Sequence, residues 1–179
     1  MANSRLTTTL VSFLVLSLAV SSITAQEKLA EKQVDVVVEG VVYCQSCDLY
    51  GTWSLTGAKP IEAATVSVIC KDHRNRVRFY KAFHTDNNGY FYAQLLGFKM
   101  SHALLDHPLH SCRVKLVSSP LENCNLFSNI DYGLYGAPLR YEDKKLVGKN
   151  YEAVIYAAGP LAFRPAHCTP KEQSIKPED

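Results

Sequence analysis

Glu39-Gly40-Val41-Val42-Tyr43-Cys44-Gln45-Ser46-Cys47 is the stretch whose reading decides the fold. It closes an alternating apolar run (Val34, Val36, Val38, then Val41, Val42 and Tyr43) with the period of a β-strand, and Gly40 inside it marks a bulge or a close backbone approach. Two cysteines three positions apart end the run, so the strand is expected to be tied at its exit. A redox dithiol would place the pair at the start of a helix, but Asp48, Tyr50, Gly51 and Thr52 begin no helical period. Structural zinc would need a second close pair, yet Cys112 and Cys124 are twelve apart. What remains is two cysteines bonded to different distant partners.

Working outward, further β-rich segments follow. Pro60-Ile61 opens a strand running to Cys70, and another spans about Arg76 to His84. Asp86-Asn87-Asn88-Gly89 is a hairpin turn signal, with Tyr90 to Leu95 as the returning strand. Gly97 to His110 reads as an apolar loop or a short helix ended by Pro108. Cys112 to Ser118 alternates Val114 and Leu116 against Arg113 and Lys115; Pro120 to Val147 is a long irregular stretch; Tyr151 to Ala157 is the last clear strand, with a further short one in 159–165. Short strands without helix-length periods between them imply an all-β fold, an antiparallel β-sandwich or barrel of about seven strands stapled by three disulfides.

Residues 1–25 read as a secretory signal peptide, with Arg5, an apolar stretch from Leu10 to Val20 and small residues ending at Ala25. Cleavage there leaves a polar lead-in at 26–33, one β domain at 34–168 and a polar tail at 169–179 that is expected to be disordered. All six cysteines follow the signal, as expected in an oxidising compartment, and spacing alone leaves fifteen connectivities open. The mature chain carries 18 basic and 17 acidic residues, a balance that points to neither nucleic acid nor a membrane surface as partner.

No Walker loop, dinucleotide fingerprint or nucleophile elbow is present, so no cofactor and no catalytic residue is expected. His102, His107 and His110 match no zinc spacing, and no metal site is assigned to them. Arg74, Arg76 and Arg78 are spaced to share one strand face as a cationic stripe, which could read the carboxylates of a uronic-acid polysaccharide or simply be a solvated face. Tyr50 and Trp53, the single tryptophan, or Tyr132 and Tyr135, could stack on sugar rings or anchor loops.

The Glu39 to Cys47 stretch, the Pro60 to Val66 segment, the Thr85 to Phe91 turn and the order of the six cysteines resemble the pollen Ole e I allergen and extensin family of plants. Two positions, Gln45 and Asp48, depart from the family signature. Cys112 to Pro120, 129–136 and 159–165 are most similar to the cysteine-containing C-terminal domain of non-classical arabinogalactan and proline-rich cell-wall proteins. The resemblance implies the pairs Cys44–Cys124, Cys47–Cys168 and Cys70–Cys112. It also implies a secreted, non-enzymatic protein of the extracellular space or cell wall. Its expected partner is a wall polysaccharide (pectin or galactan) or the O-glycans of wall glycoproteins; the alternative is a secreted interaction or signalling ligand in pollen tube or tissue growth.

Overall fold

The computed structural model describes residues 34–100, 102–148 and 151–168. The signal segment, the lead-in at 26–33 and the tail at 169–179 lie outside the described residues. Among the described residues ten strands build two sheets, with little helix. Six strands form the first: β1 (Val34–Cys44), β2 (Lys59–Pro60), β5 (Tyr90–Gln94), β7 (Leu126–Phe127), β9 (Arg140–Val147) and β10 (Glu152–Arg164). The second runs β4 (Val77–His84), β3 (Thr65–Lys71), β6 (Cys112–Ser118), β8 (Ala137–Pro138). Both feed one apolar cluster, in which Val38, Val42, Phe91 and Phe163 meet Val66, Val68 and Val114, all with no exposed area. Full burial of a side chain such as Phe91 stabilises by about 2–3 kcal/mol.

The central pair corrects the expectation of a wholly antiparallel sandwich. β1 and β10 run parallel, in register from Val34 opposite Glu152 to Cys44 opposite Phe163. Val37 and Val38 are both fully buried, as are Ala153, Leu161 and Ala162, so each strand is covered on both faces in part of its length, the usual condition for a parallel pair. Of the bulge or close backbone approach expected at Gly40, both occur: Gly40 opposes Ala158 and Val42 opposes Leu161, so Val41 alone faces Gly159 and Pro160 and the extra residue lies on β10. A Cβ on Gly40 would run into the Ala158 carbonyl and lie 2.7 Å from the Phe91 ring. β10 continues through this bulge to Arg164, joining the last clear strand and the short one after it.

Three further differences have local causes. The 86–89 turn does not close a hairpin, because β4 pairs with β3 and β5 with β1. Thr85 turns the chain from one sheet to the other: its hydroxyl donates to the Ile61 carbonyl and accepts the Ala64 N–H, and the Asp86 carboxylate accepts from the Asn88 and Tyr90 amides. The segment from Pro60 to Cys70 is split, with Ala63 at a φ of 55° between β2 and β3. Pro108 begins, rather than ends, the one-turn helix α1 (Pro108–Ser111), where a missing N–H costs nothing.

The strand count exceeds seven through three two-residue strands and through β9, which lies within the stretch read as irregular. Every β9 residue is exposed. The disulfides join Cys44 to Cys124, Cys47 to Cys168 and Cys70 to Cys112, the same pairs the resemblance implies, with sequence separations of 80, 121 and 42.

Candidate functional site

The three arginines do not form a stripe. The Asp72 carboxylate is buried in the β3–β4 turn and accepts from the Arg74 and Arg76 amides at 3.0 Å, and from Arg76 Nε and Nη2 at 2.8 Å. The hydrogen bond from the Arg76 backbone, reinforced by its guanidinium, outweighs burial and holds the carboxyl at about 2. Asn75 completes the turn at a φ of 62°. Arg74 and Arg76 therefore belong to a capped turn ahead of β4, and Arg76 is committed to Asp72. Arg78 is the extra residue of a bulge, since Cys70 opposes Phe79 and Lys71 opposes Val77.

A cationic surface forms instead across three strands of the second sheet. On the face away from the core, Ile69 of β3 is flanked by Tyr80 of β4 and Arg113 of β6, and Lys115 stands one step along beside Ser67. Tyr135 closes the far side, in a turn whose Gly136 lies so flat on Arg113 that a Cβ would sit 3.1 Å from the Arg113 Cβ. The groove holds about 420 Å³, with Ile69, Val77, Tyr80 and Tyr135 supplying apolar surface and Lys71, Arg113 and Lys115 the charge. No carboxylate lines it, and none of the three cations has an ion pair among the described residues. Arg113 is pre-set, because its Nη1 donates to the Cys112 carbonyl at 2.7 Å. Of the aromatics singled out from sequence, only Tyr135 belongs to this groove.

Tyr50, Trp53 and Tyr132 gather elsewhere. Trp53 meets Tyr132 edge-on at 6.0 Å, and the Arg164 guanidinium lies over the Tyr50 ring at 5.0 Å. A smaller cavity of about 190 Å³ lies against Trp53, Gln45 and Arg164.

The first sheet carries a larger hollow, about 530 Å³, whose charges cancel one another. Glu39 accepts from Lys144 at 2.9 Å and from the Tyr90 hydroxyl at 2.8 Å. Burial pushes the Glu39 carboxyl up, but these two partners outweigh it and leave it below its ordinary value. Burial, then the Glu39 contact, raises the Tyr90 hydroxyl. Arg140 is taken up by the Gly159 carbonyl at 2.6 Å and by Asp131 at 3.4 Å.

Among the described residues, no group of three or more His, Cys, Asp or Glu could hold a metal ion. His107 instead accepts the Leu109 N–H at the start of α1, and His73 binds Asp106 at 3.1 Å. Burial pushes the Asp106 carboxyl up, but the amides of His73 and His102 and the His73 ring bring it below its usual value.

No protein-family model matches the chain. In fold it matches the major plantain pollen allergen Pla l 1, at a TM-score of 0.52 over 76% of this chain and 98% of that one, with 22% identity. The fold is thus that of an Ole e 1-family pollen allergen. By sequence, the homologues of this chain are non-classical arabinogalactan, extensin-like and proline-rich proteins. It is 34% identical to non-classical arabinogalactan protein 30 of Arabidopsis thaliana over 134 residues, 73% of this chain and 53% of that protein. It is 35% identical to the pistil-specific extensin-like protein of Nicotiana tabacum over 104 residues, and 31% identical to proline-rich protein 3 of Arabidopsis thaliana over 144. The match covers 22% of the tobacco protein and 40% of proline-rich protein 3, so the chain corresponds to about half of these relatives or less.

Proposed function

We propose that this chain is a non-enzymatic extracellular protein of the plant cell wall that holds acidic, pectic polysaccharide across the outer face of its second sheet. The observation that carries the reading is the groove of Lys71, Arg113 and Lys115, which offers three cations beside the exposed rings of Tyr80 and Tyr135 and no carboxylate. A polyuronate presents a carboxylate on each sugar and an apolar ring face between them. Guanidinium and ammonium groups would take the first and tyrosine rings the second. The relatives' names, arabinogalactan, extensin-like and proline-rich, fit a wall setting, and the three disulfides fit an oxidising compartment.

Affinity electrophoresis through gels cast with polygalacturonate tests the reading. The protein is expected to be retarded, and a Lys71→Gln, Arg113→Gln, Lys115→Gln variant to migrate as it does in a gel without polymer. Equal retardation of both would remove the groove from the site. Saturable binding to a receptor ectodomain with no affinity for wall polysaccharide would replace the reading with that of a signalling ligand.

A further inference from the structure

The groove on the second sheet is cationic on one side and apolar on the other. Ile69 of β3 stands at its centre, with Tyr80 of β4 on one flank and Arg113 of β6 on the other. Val77 lies opposite Lys71, brought onto this face by the bulge at Arg78, and Lys115 extends the β6 side. Val77 is 57% exposed, Tyr80 61% and Tyr135 72%, so the apolar half is open to solvent as built. An acidic polysaccharide leaves much of that half unused. Ile69 and Val77 have no side-chain donor or acceptor, and hydroxyls laid over them lose water without gaining a partner.

Arg113 fixes where a carboxylate goes. Its Nη1 donates to the carbonyls of Cys112 at 2.7 Å, His110 at 3.3 Å and Leu109 at 3.4 Å, whereas its Nε and Nη2 hydrogen-bond to none of the described residues. That open edge of the guanidinium takes a carboxylate through two parallel bonds. Neighbouring strands lie about 4.8 Å apart, so a flat ring centred over Ile69 sets a carboxylate carried on a two-carbon chain beside Arg113. We propose that the groove also takes a small acid with a flat apolar body, an arylpropenoate or an acid of similar size, a step that rests on the reading of this face as a carboxylate site. The ring lies over Ile69 against Val77 and Tyr80, and the carboxylate sits on Arg113 with Lys71 and Lys115 nearby. The volume of about 420 Å³ falls within the roughly 300–1,000 Å³ of small-molecule sites. An uncharged amide of the same shape leaves the three cations unmatched, and acetate leaves the apolar half uncovered.

Titration calorimetry of the disulfide-bonded protein with trans-cinnamate, cinnamamide and acetate tests the site, beside electrophoresis through polygalacturonate gels. Cinnamate is expected to bind saturably, with cinnamamide and acetate each about tenfold weaker or more. Val77→Ser and Ile69→Thr should each weaken cinnamate about threefold to fivefold and leave retardation by polygalacturonate unchanged, whereas Arg113→Gln should weaken both. Cinnamate in the gel should also release the protein from the polymer. Thermal melting confirms the fold of each variant, and Val77 is exposed on an edge strand, so Val77→Ser serves if Ile69→Thr fails to fold. The proposal is overturned by the lack of saturable cinnamate binding, by equal affinity for cinnamate and acetate, or by folded Val77→Ser and Ile69→Thr variants that bind cinnamate as the parent does. Retardation by polygalacturonate without cinnamate binding overturns the small-acid site alone. Cinnamate binding without retardation supports that site and overturns the polyuronate reading instead.

Discussion

The outer faces of the two sheets use their charges in opposite ways. On the first, Glu39, Lys144 and Glu142 are bonded in series, and Arg140 is absorbed by a carbonyl and by Asp131. On the second, Lys71, Arg113 and Lys115 pair with no carboxylate among the described residues. A face whose charges are already paired gains little by exchanging those partners for a ligand's. A face of unneutralised cations gains Coulomb energy from any polyanion that fits. A large hollow is therefore a poorer guide to binding here than the state of the charges around it.

The largest effect expected is structural and belongs to the first sheet. Gly40→Ala drives a methyl into the Ala158 carbonyl and the Phe91 ring, and should cost about 3 kcal/mol, a fall in Tm of about 6–12 °C by calorimetry. Arg113→Gln with Lys115→Gln, in contrast, should leave Tm nearly unchanged and weaken oligogalacturonate binding about tenfold by titration calorimetry, with the parent's affinity falling as salt is raised. Tyr135→Ala should weaken the same binding a few-fold. Lys144→Gln should lower Tm slightly and leave binding untouched; a loss of affinity there would erase the distinction between the faces.

Acid gives a further contrast. Asp72 is held at about 2 against about 3.9 for a free aspartate, so its contribution to stability is complete above pH 4 and is lost as pH falls toward 2. Glu39, also held below its ordinary value, acts in the same sense. Equilibrium unfolding should thus show a stability plateau above about pH 5 and a decline below 4. Binding should follow the uronate's own carboxyls and weaken as they take up protons.

Much of the fold was legible because apolar spacing reports burial. The run ending at Cys44 reads as a strand with a bulge or a close backbone approach at Gly40, and the alternation of Cys112 to Ser118 sets Arg113 and Lys115 away from the core. What alternation does not carry is which strands are neighbours. The 86–89 turn was correctly placed yet leads to the other sheet, because Thr85 bonds to Ile61 and Ala64, more than twenty residues back. β9 escaped notice because Arg-Tyr-Glu-Asp-Lys-Lys-Leu-Val is exposed on both sides and has no buried period. The arginine spacing is broken twice: Asp72 caps the turn and takes Arg76, and a bulge takes up Arg78. The groove that replaced it joins Lys71, Tyr80, Arg113, Lys115 and Tyr135 from three strands and a loop, an adjacency that only the register supplies.

The most direct test is backbone amide shift mapping of the labelled protein titrated with oligogalacturonate. The changes should fall on β3, β4, β6 and the turn at Tyr135, and should fade as salt is added. Changes centred on Glu39, Tyr90 and Lys144, or none at concentrations where pectin retards the protein, would contradict the account.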